Sequence, residues 1–439
     1  MPFRPLLSSA VPLFLSMITS MVGGVVFTIA LGHHATESLA AFALSMAVLG
    51  PATAAVAGSL RGMVPFIAPH RADPAAALPI LRDARWLTLT VGTVGAALVA
   101  CVPLIARVSG TPAEVVEAMG ALPWLLALYV LVFASSGGAN SVLVALGRSR
   151  QVLWSSLTGT VVDIVLTFAL VPVMGPSGAG LAMVVSALAS TQVSVFCLRR
   201  VPGLGRFSQW PGRPRVTEIV RLARVGLPLA GTILIKFGVL AVVTYAAART
   251  GLIGAAAHAV LNSAIGLLFL AALAVAQASV PEVARATTTA EVRRVNRAAL
   301  ILGLSGAGLG GSVLLLFGEW IFRLFTPDAA VQALALSLVP LLVVSTLADA
   351  AQAVMGFGLA GLKRSSWSLA SFAVAYGLLA VAAHPVAATW GLTGLWVALI
   401  GNNVTLVVLQ GSGFLRHSAR LGDLAPAIPA PPARERAGS

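Results

Sequence analysis

Long apolar runs, broken by short clusters of glycine, proline and charged residues, repeat along almost the whole chain. A helix needs about 20 predominantly apolar residues to cross the hydrocarbon core of a bilayer. The pattern therefore predicts an all-α polytopic membrane protein with twelve transmembrane helices and leaves no room for a soluble domain. The expected spans are 6–31, 38–67, 84–106, 117–146, 150–174, 177–198, 225–248, 252–280, 298–324, 331–361, 365–389 and 391–415.

The overall composition agrees with this pattern. Of the 439 residues, 58% are hydrophobic and only 10% are charged, whereas soluble domains carry about 25% charged residues. The mean hydropathy of +0.95 is that of a polytopic membrane protein. The first apolar run is longer than the ~7–15 residues of a signal-peptide core, so we expect it to be retained as the first helix.

The positions of arginine and lysine set the expected orientation. With both termini placed in the cytoplasm, the outer loops contain only Arg107, Arg249 and Arg323 of the 28 basic residues. Membrane proteins keep basic loop residues on the cytoplasmic side, so the net charge of +14 does not require nucleic acid as a partner. We expect a monomeric, multi-pass protein of the plasma membrane that contacts membrane lipids.

Several landmarks recur at one spacing, which indicates an internal duplication. Pro12 and Pro228 are 216 positions apart. The same shift aligns "AAFA" at 40–43 with "AAHA" at 256–259, Leu146 before "GRSR" with Leu362 before "KRSS", and Gly175 and Gly178 with Gly391 and Gly394.

The duplication divides the chain into two six-helix bundles, an N-lobe over residues 1–200 and a C-lobe over residues 225–415. A basic cytoplasmic linker over 201–224 joins them, and the proline-rich tail over 416–439 is expected to be disordered. Because each half has an even number of spans, the halves are expected to run parallel, with a substrate site in the cleft between them near the middle of the membrane.

These features resemble the MATE family, the multidrug and toxic compound extrusion transporters, over about residues 8–415. The resemblance rests on segments in the family's order and spacing. In the first half they are "VPLFLSMITS", "LGHHATESLAAFALS", "ALGRSRQ" and "GPSGAGLAMVVS". The second half repeats them as "VGLPLAGTILI", "GLIGAAAHAVLNS", "LADAAQAVMGFGLAGLKRS" and "WGLTGLWVALI".

The resemblance implies a secondary active antiporter that exports small organic compounds, often cationic or amphipathic. Alternating access of the two lobes would couple export to the influx of protons or sodium ions, and no cofactor is implied. The wider superfamily also contains flippases for lipid-linked oligosaccharides, which stays open as an alternative. A flippase for lipid diphosphates should line its cavity with several arginine or lysine residues.

No motif in the sequence indicates an enzyme or a metal site. "GAGLGG" at 306–311 fits G-x-G-x-x-G, but it lies inside an apolar span without a preceding strand. Helix packing through small residues explains it better than dinucleotide binding. Cys101 and Cys197 fall in different predicted helices near opposite membrane faces, so neither a disulfide nor a cysteine metal site is expected.

Asp349 and Gln352 lie in the middle of the tenth predicted span, in "STLADAAQAVMG". A charge at the centre of a membrane helix costs about 2.5–3.5 kcal/mol on insertion scales, so such a residue needs a reason. The resemblance implies that an acidic residue three positions before a glutamine takes part in ion coupling. A structural salt bridge or hydrogen-bond network is the alternative.

Lys236 lies in the apolar run "TILIKFGVLAVV" of the seventh span, where a subgroup of the resembled family carries glutamate. A protonated lysine has no acceptor for Na⁺, so proton coupling is expected rather than sodium coupling. Lys236 is expected to pair with Asp349, because pairing spares both charges from burial alone. The pair could be inert, or it could act as a switch that protonation of Asp349 opens. Binding of an acidic substrate by Lys236 is a third alternative.

Asp163, in "TGTVVDIVLTFALV", is a midspan carboxylate of the first half. The resemblance implies asparagine here in many members and an acid four positions later in some, where this chain has Thr167. The family's acid on the first helix would fall at Phe27 and is missing. A carboxylate without a cation beside it is easier to protonate than a paired one. We therefore expect Asp163, more than Asp349, to bind the coupling proton, with a structural hydrogen-bonding role as the alternative.

Further polar residues lie near the ends of the predicted spans. His258 and Asn262 are one turn apart near the outer end of the eighth span, and packing is the alternative to cavity lining for His258. Arg61 is expected to reach the inner membrane face by snorkelling, and Gln277 is expected to be structural. The predicted substrate-cavity residues are Thr167, Asn262, Gln352 and His258.

Overall fold

A computed structural model of the protein describes residues 3–34, 36–205 and 212–420, and long helices dominate these residues. We number the membrane-crossing helices α1 to α12. Eight of them are continuous: α1 (Phe3–His34), α2 (Thr36–Arg61), α3 (Leu78–Ala100), α4 (Leu122–Ala145), α7 (Val216–Ala248), α8 (Leu252–Arg285), α9 (Thr289–Phe325) and α10 (Ala329–Gly361). Short helical turns over Val64–Ile67, Ala68–His70, Pro74–Ala77, Val102–Val108 and Ala113–Ala118 connect some of them.

The remaining four spans come from two long helical stretches, Ser149–Arg199 and Ser365–Ala419. A straight helix of 51 residues would be about 77 Å long, far beyond the ~30 Å hydrocarbon core. Each stretch is broken by a glycine with positive φ, Gly175 (φ 55°) and Gly391 (φ 60°). The break divides the first stretch into α5 (149–174) and α6 (176–199), and the second into α11 (365–390) and α12 (392–419). The prediction of twelve transmembrane helices is thus consistent with the structure.

The backbone repeats the landmarks that indicated the duplication. The turn between α4 and α5 places Gly147 at φ 72°, and the equivalent turn between α10 and α11 places Lys363 at φ 60°. The N–H of each residue donates to a carbonyl three residues earlier at 2.9 Å. Lys363 is the one residue other than glycine with positive φ in the described part of the chain. A lysine held in a glycine-type conformation shows that the turn itself, rather than its residue type, is common to both halves.

The helices form two bundles that meet along two crossings. Within the N-lobe, α1 and α4 pack against the α5–α6 stretch; within the C-lobe, α7 and α10 pack against the α11–α12 stretch. Between the lobes, α2 packs against α7 and α1 packs against α8. The duplication relates α1 to α7 and α2 to α8, so the two crossings are equivalent, as two parallel pseudo-symmetric halves require.

Small residues bring α2 and α7 into backbone contact. A Cβ added at Gly62 would overlap the backbone of Gly226, and a Cβ added at Gly226 would overlap the carbonyl of Ser59. One turn earlier, Gly58 lies against Ala230 in the same way. Such spacing of small residues lets membrane helices approach closely. It determines how the two lobes meet where the C-terminal end of α2 packs on α7.

Several boundaries differ from the prediction. α7 begins at Val216, inside the segment 201–224 predicted as a linker, because Glu218, Arg221 and Arg224 lower the hydropathy of an amphipathic first part of the helix. α9 begins at Thr289 rather than at 298, with Thr288 and Glu291 forming a capping box. Similarly, α12 continues to Ala419, into the predicted tail. Residues 206–211 of the linker and 421–439 of the tail lie outside the described residues.

Candidate functional site

A cavity of about 500 Å³ lies mainly within the N-lobe and reaches the C-lobe at one end. Helices α1, α2, α4, α5 and α6 line most of it, and α7, α8 and α10 close the end where the lobes meet. The volume falls in the range of sites for small organic molecules. Its polar and charged lining residues are Ser16, Ser20, Arg61, Tyr129, Ser136, Asn140, Ser141, Ser156, Thr160, Asp163, Ser186, Ser190 and Gln277.

Asp163 on α5 reaches this cavity beside α1. Its Oδ1 is buried and has no hydrogen-bond donor among the described residues, and none of the ion pairs found there includes Asp163. A Cβ added at Gly23 of α1 would come within 3.0 Å of its Oδ2, so the glycine provides the space that the carboxylate occupies. An orphaned carboxylate oxygen next to a cavity is a place where a proton or a cationic ligand would be stabilised.

Hydroxyl groups tie together the helices around this carboxylate. The Ser155 hydroxyl lies 2.8 Å from that of Ser190 and 2.7 Å from that of Ser194. Ser194 donates to Oδ1 of Asn140 at 2.8 Å. This network links α4, α5 and α6, and it gives the N-lobe cavity a wall of neutral, polar groups.

The C-lobe holds the ion pair that the sequence predicts. Nζ of Lys236 on α7 donates to both carboxylate oxygens of Asp349 on α10 at 3.0 Å. Nε2 of Gln352, one turn along α10, donates to Oδ1 of Asp349 at 2.7 Å. The ring of Phe269 on α8 lies 4.5 Å from the ammonium, a distance at which a cation is attracted to the aromatic face. Asp349 and Gln352 are buried, at 5% and 3% exposure.

The other three predicted cavity residues lie elsewhere. Thr167 is completely buried, and its hydroxyl has no hydrogen-bond partner in the described structure. His258 is buried with its ring 5.9 Å from the ring of Trp396, which agrees with packing. Asn262 is exposed on α8. Neither these three nor Gln352 lines the cavity described above, because one-turn spacing predicts a shared helix face but not what that face meets.

Arg61 and Gln277, by contrast, line the cavity. Arg61 thus borders the cavity at the end of α2, where the close contact of Gly62 with Gly226 holds the helix end against α7; that it snorkels to the membrane surface stays a prediction. Gln277, which is expected to be structural, has its amide nitrogen buried beside the cavity without a partner among the described residues.

The lobes are joined by charged contacts at the end of the molecule that carries the α4–α5 and α10–α11 turns, which we call the basic face. Arg71 of the N-lobe lies 3.6 Å from Glu282 of α8. The ring of Phe66 lies between Lys363 at 4.6 Å and Arg221 at 5.4 Å. Partial burial, and to a smaller extent the charge of Arg221, lower the pKa of Lys363. The cleft between the lobes is closed at this face.

A model of the MatE family matches residues 228–386, which lie within the C-lobe. Over 434 residues the chain is 27% identical to a probable multidrug resistance protein NorM of Xanthomonas campestris pv. campestris, covering 94% of this chain and 93% of that protein. A probable multidrug resistance protein NorM of Xylella fastidiosa is 26% identical over 437 residues, with 95% and 92% covered.

Solved structures share the fold. A MOP superfamily transporter from Pyrococcus furiosus superposes with a TM-score of 0.84 at 18% identity, covering 96% of this chain and 97% of that one. The Vibrio cholerae MATE transporter VcmN in its bent form gives a TM-score of 0.81 at 18% identity, covering 96% and 98%. The full-length coverage extends the similarity to both lobes.

Proposed function

From the premise that this chain is a transporter of the MATE family, we propose that it exports organic, cationic or amphipathic compounds in exchange for protons. Its relatives carry the name of multidrug resistance proteins, and its cavity has a volume suited to small organic molecules. We place it in the plasma membrane with both termini in the cytoplasm, since the basic residues then lie inside.

The proposal rests on the position and the hydrogen bonding of the Asp163 carboxylate. Its carboxylate lies in the membrane-spanning part of α5, borders the cavity and leaves one buried oxygen without a donor. Protonation removes the cost of an uncompensated charge in an apolar environment, whereas a bound organic cation removes it by pairing. A proton and a cationic substrate would therefore compete for Asp163, which is the condition for exchange of one against the other.

The C-lobe pair supports protons over sodium as the coupling ion. The ammonium of Lys236 contacts both oxygens of Asp349, so it occupies the position that a metal cation would need. A sodium ion would have to displace Lys236 and leave its charge unpaired in the membrane, which is unfavourable. In this proposal the pair connects α7 to α10 and keeps the C-lobe bundle rigid while the N-lobe binds protons.

Alternating access follows from the two equivalent crossings between the lobes. The closed basic face is held by the α2–α7 backbone contact at Gly62 and by the Arg71–Glu282 and Phe66–Lys363 contacts. Opening this face requires separation of the packed helices α2 and α7 together with these charged contacts, while each lobe moves as a unit. The flippase alternative is a separate matter. Among the described residues that line the cavity, Arg61 has the one cationic side chain. A flippase of lipid diphosphates would need more positive charge than this.

The proposal is tested by transport in proteoliposomes that contain the purified full-length chain and a fluorescent organic cation such as ethidium. An imposed pH gradient should drive the dye to accumulate on the acidic side of the membrane, in exchange for protons that leave that side. An imposed sodium gradient at equal pH should not drive accumulation. Dye movement driven by sodium alone, or movement that a protonophore leaves unchanged, would contradict proton exchange.

A further inference from the structure

Two polar side chains from equivalent positions of the two repeats line one end of the cavity. Arg61 is the last residue of α2, and Gln277 lies 216 positions later on α8. Both line the cavity near the α2–α7 and α1–α8 crossings. Because the duplication relates α2 to α8, the two side chains reach the cavity from opposite sides of the pseudo-twofold axis.

Both side chains offer hydrogen-bond donors that nothing in the described structure accepts. The guanidinium of Arg61 takes part in none of the hydrogen bonds or ion pairs found among the described residues, and Nε2 of Gln277 is buried and unpartnered. Asn140, on the same cavity wall, uses its Oδ1 to accept from Ser194, which turns its amide N–H groups towards other partners. Arg61 and Gln277 thus leave N–H donors at this end of the cavity that no described residue accepts.

No carboxylate in the described part of the chain forms an ion pair with Arg61. Glu282, on α8 beyond Gln277, is already bound by Arg285 and lies 3.6 Å from Arg71. Asp163 lines the same cavity, but it lies about 21 Å along α5 from the basic face, at 1.5 Å per residue, whereas Arg61 ends α2 at that face. The guanidinium of Arg61 is therefore left without a counter-ion among the described residues and is available to bind an anionic group of a ligand.

We propose that Arg61 and Gln277 form a subsite for a carboxylate group of the transported molecule. The guanidinium presents parallel N–H groups that match the two oxygens of a carboxylate, and the Gln277 amide adds a neutral donor from the other lobe. A substrate bound here would touch both lobes and would carry its cationic group towards Asp163. The inference rests on the proposed function only in taking the ligand to be an organic substrate.

Two dyes that differ in one group provide a direct test. Rhodamine 110 carries a free carboxyl group, and rhodamine 123 is its methyl ester; both share the same cationic ring system. Equilibrium binding of each dye to the purified full-length chain is measured by fluorescence polarisation without any ion gradient. A failure of proton coupling leaves this measurement untouched, so the two proposals can fail separately.

The wild-type protein is expected to bind rhodamine 110 more tightly than rhodamine 123. Arg61→Gln should weaken binding of rhodamine 110 by about tenfold, which corresponds to about 1.4 kcal/mol, and should change binding of rhodamine 123 by less than about twofold. Arg61→Lys should lose part of the preference, because lysine keeps the charge but not the paired donors. The control Arg107→Gln removes the same charge from an exposed position outside the cavity and should change neither affinity.

Three results would overturn the subsite: wild-type protein that shows no preference for rhodamine 110, including no binding of it; an Arg61→Gln variant that loses both dyes equally; or an Arg61→Gln variant that keeps the full preference. Thermal unfolding in detergent shows, independently of dye binding, that each variant is folded. Gln277→Leu, which removes the donor from the other lobe, should reduce binding of rhodamine 110 severalfold and leave rhodamine 123 unchanged.

Discussion

The two lobes share one backbone plan, yet the midspan carboxylates that they hold have opposite surroundings. Asp349 of the C-lobe accepts hydrogen bonds from Lys236 and Gln352. Asp163 of the N-lobe has a buried Oδ1 that accepts none within the described residues. The C-lobe carboxylate is bound by a cation of the protein, whereas the N-lobe carboxylate has none in the described part of the chain and keeps one buried oxygen without a donor.

The two carboxylates also lie on helices that the duplication does not relate to each other. The shift of 216 residues that relates the halves places Leu379 opposite Asp163 and Phe133 opposite Asp349. The turns and glycine breaks have kept their geometry in both halves, while the polar chemistry has diverged. The difference teaches that the pseudo-symmetry is a property of the backbone, and that the two lobes need not share their buried polar residues.

The largest effect on transport is expected from neutralising Asp163, the carboxylate that has no cation beside it among the described residues. Asp163→Asn should reduce pH-driven dye transport in proteoliposomes to the level of empty vesicles, because the amide cannot take up a proton. Asp349→Asn should leave a measurable part of the transport, since Asp349 is committed to Lys236. Full proton-linked transport by Asp163→Asn, with loss in Asp349→Asn, would reverse the roles assigned to the two lobes.

A second comparison concerns stability rather than transport. Lys236→Met leaves the buried Asp349 charge without its cation, which should destabilise the protein by about 3–5 kcal/mol. Adding Asp349→Asn to Lys236→Met removes that charge and should restore much of the loss. Thermal unfolding in detergent measures both variants. Asp163→Asn is the matched control and should cost far less, because no cation is left behind.

Equal destabilisation by the single variant Lys236→Met and by the double variant would contradict this account. It would mean that the lysine stabilises the C-lobe by its aliphatic packing and its contact with Phe269 rather than by compensating Asp349.

Hydropathy and the charge distribution were enough to predict the helical membrane fold, because each apolar run had to be long enough to span a bilayer. The paired glycines identified the duplication, since Gly175 and Gly391 adopt conformations that favour glycine. Helix starts were predicted less well. The first turns of α7 carry charged residues, so an amphipathic segment with low hydropathy was assigned to the linker.

The site was predictable only where a local argument applied. The Lys236–Asp349 pair followed from the cost of two isolated charges in one bundle, and the structure contains it. The cavity position of Arg61 did not follow, because it depends on the contact between Gly62 and Gly226 across the lobes. Three-dimensional contacts between distant helices leave little trace in the spacing of residues along one helix.

A substitution at one of the two crossings between the lobes is expected to have an intermediate effect on transport. At the α2–α7 crossing Gly62 and Gly226 are in backbone contact, whereas the repeat shift places Ala278 and Ala10 at the equivalent α8–α1 positions. Gly62→Val should keep the basic face from closing and should slow transport strongly, because the added side chain overlaps α7. Ala278→Val, the matched change at the other crossing, should have a smaller effect.

Labelling of single cysteines placed on the basic face, in a background without Cys101 and Cys197, measures the opening. Gly62→Val should increase labelling of Ala68→Cys, a position that is buried at this face. Equal labelling and transport in Gly62→Val and wild type would show that the α2–α7 contact does not determine closure.

The smallest effect concerns the space around Asp163. A Cβ at Gly23 would come within 3.0 Å of the Asp163 carboxylate, whereas a Cβ at the neighbouring Gly24 meets nothing within 4 Å. Both changes to alanine raise helix propensity by about 1 kcal/mol, so that contribution cancels in the comparison. Gly23→Ala should add an overpacking cost of about 1 kcal/mol to folding and should reduce pH-driven transport severalfold, because the added methyl group displaces the carboxylate. Gly24→Ala should transport like wild type; equal activity of the two variants would mean that α1 does not confine the carboxylate.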